Sequence, residues 1–100
     1  MVRKRQNQNE LEPPPIAENS EALEVLRVWA LPGQPQQLTL RTTWKDSAAW
    51  GLVLVDLARH AANAYAKEGQ DRSAVLARIY EFFDAERSEA TDIPEDITPQ

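Results

Sequence analysis

The chain has no cysteine, which excludes disulfides and thiolate chemistry. It has one histidine, too few for a histidine-based metal site. No apolar run reaches the roughly 20 residues that a membrane-spanning helix needs. The basic opening Val2-Arg3-Lys4-Arg5 leads into Gln6, Asn7, Gln8 and Asn9, not into the apolar stretch of a secretory signal. Positive charge is short as well. The net charge is -5 over 100 residues, with no uniformly basic face for nucleic acid. These absences lead to the expectation of a soluble cytoplasmic protein that needs no cofactor and no membrane, and for which nucleic acid is not the expected partner.

The ends hold little that could form a core. Residues 1–19 carry three consecutive prolines, Pro13 to Pro15, and few bulky apolar groups. Residues 91–100 hold Asp92, Glu95 and Asp96 with no base. Both ends read as flexible tails, the second acidic. One domain is expected over 20–90, a size that is marginally stable alone and is cheaply stabilised by oligomerisation.

Within that domain the pattern reads strand, strand, helix, helix. A first strand over Leu23 to Leu31 alternates Leu26 and Val28 against Arg27 and Trp29. Pro32-Gly33 suits the centre of a type II turn. A second strand follows over Gln37 to Thr42, with Leu38 and Leu40 opposite Thr39 and Arg41. The two should form an antiparallel hairpin. Two strands do not make a stable sheet in water, so a dimer mate or the N-terminal segment should extend it.

The run from Trp44 to Tyr65 carries most information. It reads as a helix capped near Thr43 or Asp46 and apolar around more than half its circumference. Trp50, Leu54, Leu57 and Tyr65 lie on one side. Gly51, Val55, Ala58, Ala62 and Ala66 continue the arc with small groups that admit a close neighbour. Such a helix needs covering on two sides. Gly69 should stop it, and Asp71 should cap a second helix over about Arg72 to Glu86. The expected architecture is α+β: a β-hairpin packed on an antiparallel pair of α-helices, in the order β-β-α-α, with disordered tails.

Chemistry-bearing residues are few. Asp56 and His60, four apart, could pair as an oriented base, but no nucleophile, second acid or glycine-rich loop accompanies them. A solvated intrahelical pair worth about 0.3 kcal/mol explains the spacing as well. No catalytic residue is assigned. Arg59, His60, Asn63 and Lys67 form a polar arc, the candidate contact face for a partner. Trp29, Trp50, Leu54, Val55, Leu57 and Ala58 are the candidates for the core or an interface, because aromatic and aliphatic anchors dominate both.

Two resemblances follow. The segment Asp71-Arg72-Ser73-Ala74-Val75-Leu76-Ala77-Arg78-Ile79, after a strand and a helix, resembles the second helix of ribbon-helix-helix DNA-binding proteins. That resemblance implies base reading by Gln37, Thr39 and Arg41, and phosphate near Ser73. The long first helix, the extra strand and the lack of positive charge depart from that family. A closer match spans about Ala22 to Phe83. The run Ala49-Trp50-Gly51, Leu54, Asp56-Leu57-Ala58-Arg59-His60 and Ala62-Asn63-Ala64-Tyr65, after a hairpin with Val28-Trp29, resembles a family of small bacterial proteins known only as a domain of unknown function. It implies a small α+β domain and no activity.

The expectation is therefore a non-enzymatic interaction or accessory module acting as a homodimer, through a sheet edge or helix faces. The alternatives are a ribbon-helix-helix-like DNA-binding dimer and a small-ligand sensor with an aromatic pocket between hairpin and helices.

Overall fold

The computed structural model describes residues 7–88 and 94–98. The fold is α+β. A short 3₁₀ turn, Pro15–Glu18, precedes strands β1 (Leu26–Trp29) and β2 (Gln37–Leu40), helices α1 (Ala49–Lys67) and α2 (Arg72–Ser88), and a two-residue strand β3 (Glu95–Asp96).

β1 and β2 pair antiparallel with Leu26 opposite Leu40 and Val28 opposite Leu38. Side chains alternate across a strand, so these four residues share one face. Arg27, Trp29, Gln37 and Thr39 share the other. The turn between the strands has the geometry expected of Pro-Gly. Gly33 lies at φ +80, and the Gln34 N–H donates to the Leu31 carbonyl at 3.0 Å. A side chain at φ > 0 would be strained, which is why glycine stands there.

The extension of the sheet comes from neither of the expected sources. β3 lies parallel to β2 on its far side, with Gln37 beside Glu95 and Leu38 beside Asp96. The Glu95 N–H donates to the Gln36 carbonyl at 2.8 Å, and the Leu40 N–H donates to Thr98 Oγ1 at 2.9 Å. The sheet order is therefore β1-β2-β3, with β2 in the centre. Among the described residues, both ends thus carry more structure than their composition suggested. At the N-terminal end, Glu10 is only 6% exposed and forms an ion pair of 3.2 Å with Arg27 of β1. Residues 1–6, 89–93 and 99–100, to which the rest of the tail expectation refers, lie outside the described part.

α1 begins at Ala49, later than either proposed cap. Asp46 still shapes the entry: its Oδ1 accepts from the Ala48 N–H at 2.9 Å, and its carbonyl accepts from Ala49 at 3.2 Å. The connection from β2 is tied back on itself. The Trp44 backbone N–H and the Trp50 indole Nε1–H both donate to the Thr42 carbonyl, at 2.6 and 3.2 Å. The two indole rings meet edge to face at 5.6 Å. Thr43, just before Trp44, sits at φ +61, a left-handed conformation that strains a β-branched residue.

α1 ends as the sequence requires. The Gly69 N–H donates to the Ala66 carbonyl and the Gln70 N–H to the Tyr65 carbonyl, both at 3.1 Å, with Gly69 at φ +102. This double closure is the Schellman motif, which satisfies carbonyls left over at a helix end. Asp71 then caps α2, its Oδ2 accepting from the Ala74 N–H at 2.9 Å. The two-helix hairpin packs through the small residues of α1. Ala62 is 0% exposed, and Val55, Ala58 and Ala66 are half-buried beside it. Val75, Leu76 and Ile79 of α2 are half-buried too.

Among the described residues no α-carbon of a strand lies within 8 Å of an α-carbon of a helix.

Candidate interaction surface

The exposed side of α1 is built by its own periodicity. At about 100° per residue, Trp50, Leu54, Leu57, Ala61 and Tyr65 fall beside the small-residue stripe that α2 occupies. Leu54 is 49% exposed, Leu57 46% and Tyr65 45%. Trp50 and Ala61 are half-buried. The sheet adds Val28 and Trp29, both exposed. Leu26, Leu38 and Leu40 are half-buried on the leucine face.

These residues leave apolar surface open on α1 and on the sheet. The chain exposes 8879 Å². A folded monomer of 11.3 kDa exposes roughly 5,700 Å². Among the described residues, Ala62 is the one fully buried apolar side chain.

The predicted residues divide between the two helix faces. Ala58 and Val55 are half-buried on the small-residue side with Ala62, Leu54 and Leu57 are exposed on the other side, and Trp50 there is half-buried against Trp44. Trp29 sits on the sheet, away from Trp44 and Trp50. A cleft of about 910 Å³ runs between the N-terminal segment and the hairpin, lined by Leu11, Pro14, Arg27, Trp29 and Pro35 among others. The three tryptophans therefore do not converge on one aromatic pocket between hairpin and helices.

Arg59, His60, Asn63 and Lys67 are all exposed on the opposite arc of α1. Asn63 is held there by α2, since Arg72 Nε donates to its Oδ1 at 2.5 Å. Asp56 and His60 form neither a hydrogen bond nor an ion pair with each other among the described residues. One perturbed acid stands out, on the sheet. The backbone N–H of Thr98 donates to Asp96 Oδ1 at 2.8 Å and, with the Thr98 hydroxyl, holds the Asp96 carboxyl below its ordinary value.

Sequence reasoning missed the Glu10–Arg27 pair and the β3 contacts. Arg27 is the one charged residue on an otherwise apolar strand, and that was the available signal for a buried partner. Nothing in the sequence pointed to Glu10 as that partner. Among the described residues, no cluster of three histidine, cysteine or carboxylate side chains could hold a metal ion. No described helix is long and apolar enough to cross a membrane.

Comparison with known proteins agrees with this architecture. A solved structure from the photosynthetic bacterium Rhodopseudomonas palustrus CGA009, named there as a candidate pyruvate dehydrogenase, is 37% identical. It covers 100% of both chains with a TM-score of 0.69. No curated protein matches the chain. The family model for a domain of unknown function, DUF5076, matches residues 10–91. The chain belongs to the DUF5076 family.

Proposed function

We propose that this protein is a non-enzymatic interaction module that works as a homodimer. One observation carries the reading: Leu54, Leu57 and Tyr65 of α1 stand 49%, 46% and 45% exposed, while Ala62 is fully buried. Apolar surface on that scale is favourable to bury, at roughly 25 cal/mol per Å². Patches of a few hundred Å² already mark interaction sites on monomers. The exposed polar arc of Arg59, His60, Asn63 and Lys67 lies on the far side of α1, where a dimer would present it to a further partner.

The non-enzymatic part rests on the lack of convergence. The titratable groups of α1 are spread along a solvated face, and no enclosed site gathers them. The DNA-binding alternative loses support from β2. Its two edges already pair with β1 and β3, so it has no free edge to form a two-stranded ribbon with a partner.

Light scattering after size exclusion, over a dilution series, tests the dimer. A mass of about twice 11.3 kDa is expected at every accessible concentration, and a persistent monomer would end the proposal. The comparison with the Rhodopseudomonas protein raises one enzymatic alternative. Purified protein supplied with pyruvate, thiamine diphosphate, Mg²⁺ and an electron acceptor should show no turnover. Turnover that disappears in His60→Ala would overturn the non-enzymatic reading.

A further inference from the structure

We infer that the free edge of β1 takes an extended, basic segment of a partner protein as a further strand, seated in the cleft between β1 and the N-terminal segment. This surface is separate from α1, and the inference goes beyond the homodimer reading.

The register of the sheet shows which backbone groups are available. In an antiparallel pair, opposed residues exchange both bonds at every second position, and the residues between turn their N–H and C=O groups outward. The Arg41 N–H donates to the Val25 carbonyl at 2.9 Å, and these two stand opposite each other, one step beyond Leu26 and Leu40. Arg27 and Trp29 therefore turn their backbone groups to β2, and Leu26 and Val28 turn theirs away from it. The far side of β2 agrees: its Leu38 carbonyl and Leu40 N–H bond Ile97 and Thr98. β2 is thus paired on both sides. Leu26 and Val28 present two donors and two acceptors, in strand spacing, to no backbone partner among the described residues.

The N-terminal segment runs beside this edge without closing it. Among the described residues no backbone hydrogen bond joins 7–14 to β1. The tie between them is made by side chains, Glu10 to Arg27 at 3.2 Å. The cleft of about 910 Å³ is lined by every residue from Leu26 to Leu31. Side chains alternate across a strand, so a groove that touches all of these in succession lies along the edge and not over one face.

Charge selects the occupant. Arg27 is the one base among the residues that line the cleft, against Glu10, Glu12 and Glu24. Its guanidinium is shared by two of them, Glu10 at 3.2 Å and Glu24 at 3.0 Å. The cleft carries a surplus of negative charge, which favours an incoming strand whose side chains are lysine or arginine. Trp29, in the same lining and 38% exposed, adds an aromatic ring that such a cation can lie against. A second copy of β1 is the rival occupant. Paired across a two-fold axis it would bring the same acidic surplus against itself, which is unfavourable. Main-chain bonds give an added strand its affinity, and its alternate side chains give specificity.

Two blocked peptides of about six residues test this, one alternating valine with lysine and the other valine with glutamate. Added to isotope-labelled protein and followed by NMR, the lysine peptide should shift the Leu26 and Val28 amides and slow their hydrogen exchange several-fold. The Arg27 amide, already turned to β2, is the internal control. The glutamate peptide should bind roughly tenfold more weakly or worse. Glu24→Lys, at an exposed position, should weaken the lysine peptide by about as much. Val28→Pro removes an outward donor without touching the β2 ladder, a place where an edge strand accepts proline, and should abolish the response. If that variant fails to fold by circular dichroism, a lysine peptide methylated at every amide nitrogen carries the test, since it keeps its charge but offers no donor, and it should not bind. Equal binding of the two charged peptides, no response to the lysine peptide at millimolar concentration, or binding that leaves the Leu26 and Val28 amides unmoved would each overturn the inference. So would edge amides already slow to exchange without peptide. Slowing that grows with protein concentration would assign the edge to a second copy. Release by Arg3→Glu, Lys4→Glu and Arg5→Glu together would assign it to the chain's own basic start.

Discussion

At the residue scale, single positions show how the chain enforces its turns. Gly69 holds φ +102 with nothing within 4 Å of where a Cβ would stand. Replacing it therefore tests backbone strain alone, free of any clash. Gly69→Ala should cost about 1 kcal/mol in denaturant unfolding, with an unchanged m-value. A neutral result would mean that the helix end can relax into another closure. Gly33 and Gly69 were both legible in the sequence, since each follows or centres a turn signal that only glycine satisfies cheaply. Thr43 was not legible in this role. Threonine seldom adopts φ > 0, and here the Trp44 and Trp50 bonds to the Thr42 carbonyl hold it there. That network forms in the connection between β2 and α1, which local pattern does not reveal.

At the element scale, periodic segments were readable and short ones were not. α1 and α2 declare themselves by spacing, and their shared boundary at Gly69 and Asp71 falls where stop and cap residues place it. The split of α1 into a small-residue side and a large-residue side was also legible, because size follows the 3.6-residue repeat. β3 was not. It is two acidic residues long, has little strand propensity, and exists because β2 offers an unpaired edge. The Glu10–Arg27 contact fails to show for the same reason: it is made across seventeen positions by residues with no local signature. β3 yields a pH prediction. The lowered Asp96 carboxyl binds its proton less readily while the Thr98 bonds are in place than in the unfolded chain. Its contribution is thus fully present above the unfolded value, near 3.9 or so, and fades as pH falls through the lowered one. The Leu40 amide, which donates to Thr98 Oγ1, should report this by NMR. Its resonance should move toward an undocked position below about pH 4, and Asp96→Asn should flatten the dependence. A Leu40 signal indifferent to acid would separate Asp96 from the docking of β3.

At the scale of the whole molecule, the question is what completes the fold. A sheet hides one face and a helix one stripe, and stable domains arise when those surfaces meet. Here Val28 on the sheet and Leu54 and Leu57 on α1 each stand about half exposed. Folding and association should then be a single event, with stability tied to protein concentration. Each tenfold rise in concentration adds about 1.4 kcal/mol to the dimer relative to two unfolded chains. With an unfolding entropy of about 0.4 kcal/mol/K for two such chains, Tm should climb by roughly 3 °C per tenfold. Calorimetry at several concentrations measures that slope directly. Leu57→Glu places a charge on the exposed apolar side of α1, where a carboxylate buried by association would have no partner. It should lower Tm and remove the slope together, because a chain that no longer associates has no concentration term left. A variant that loses stability yet keeps the slope would show that Leu57 supports the fold of each chain and that the copies meet elsewhere.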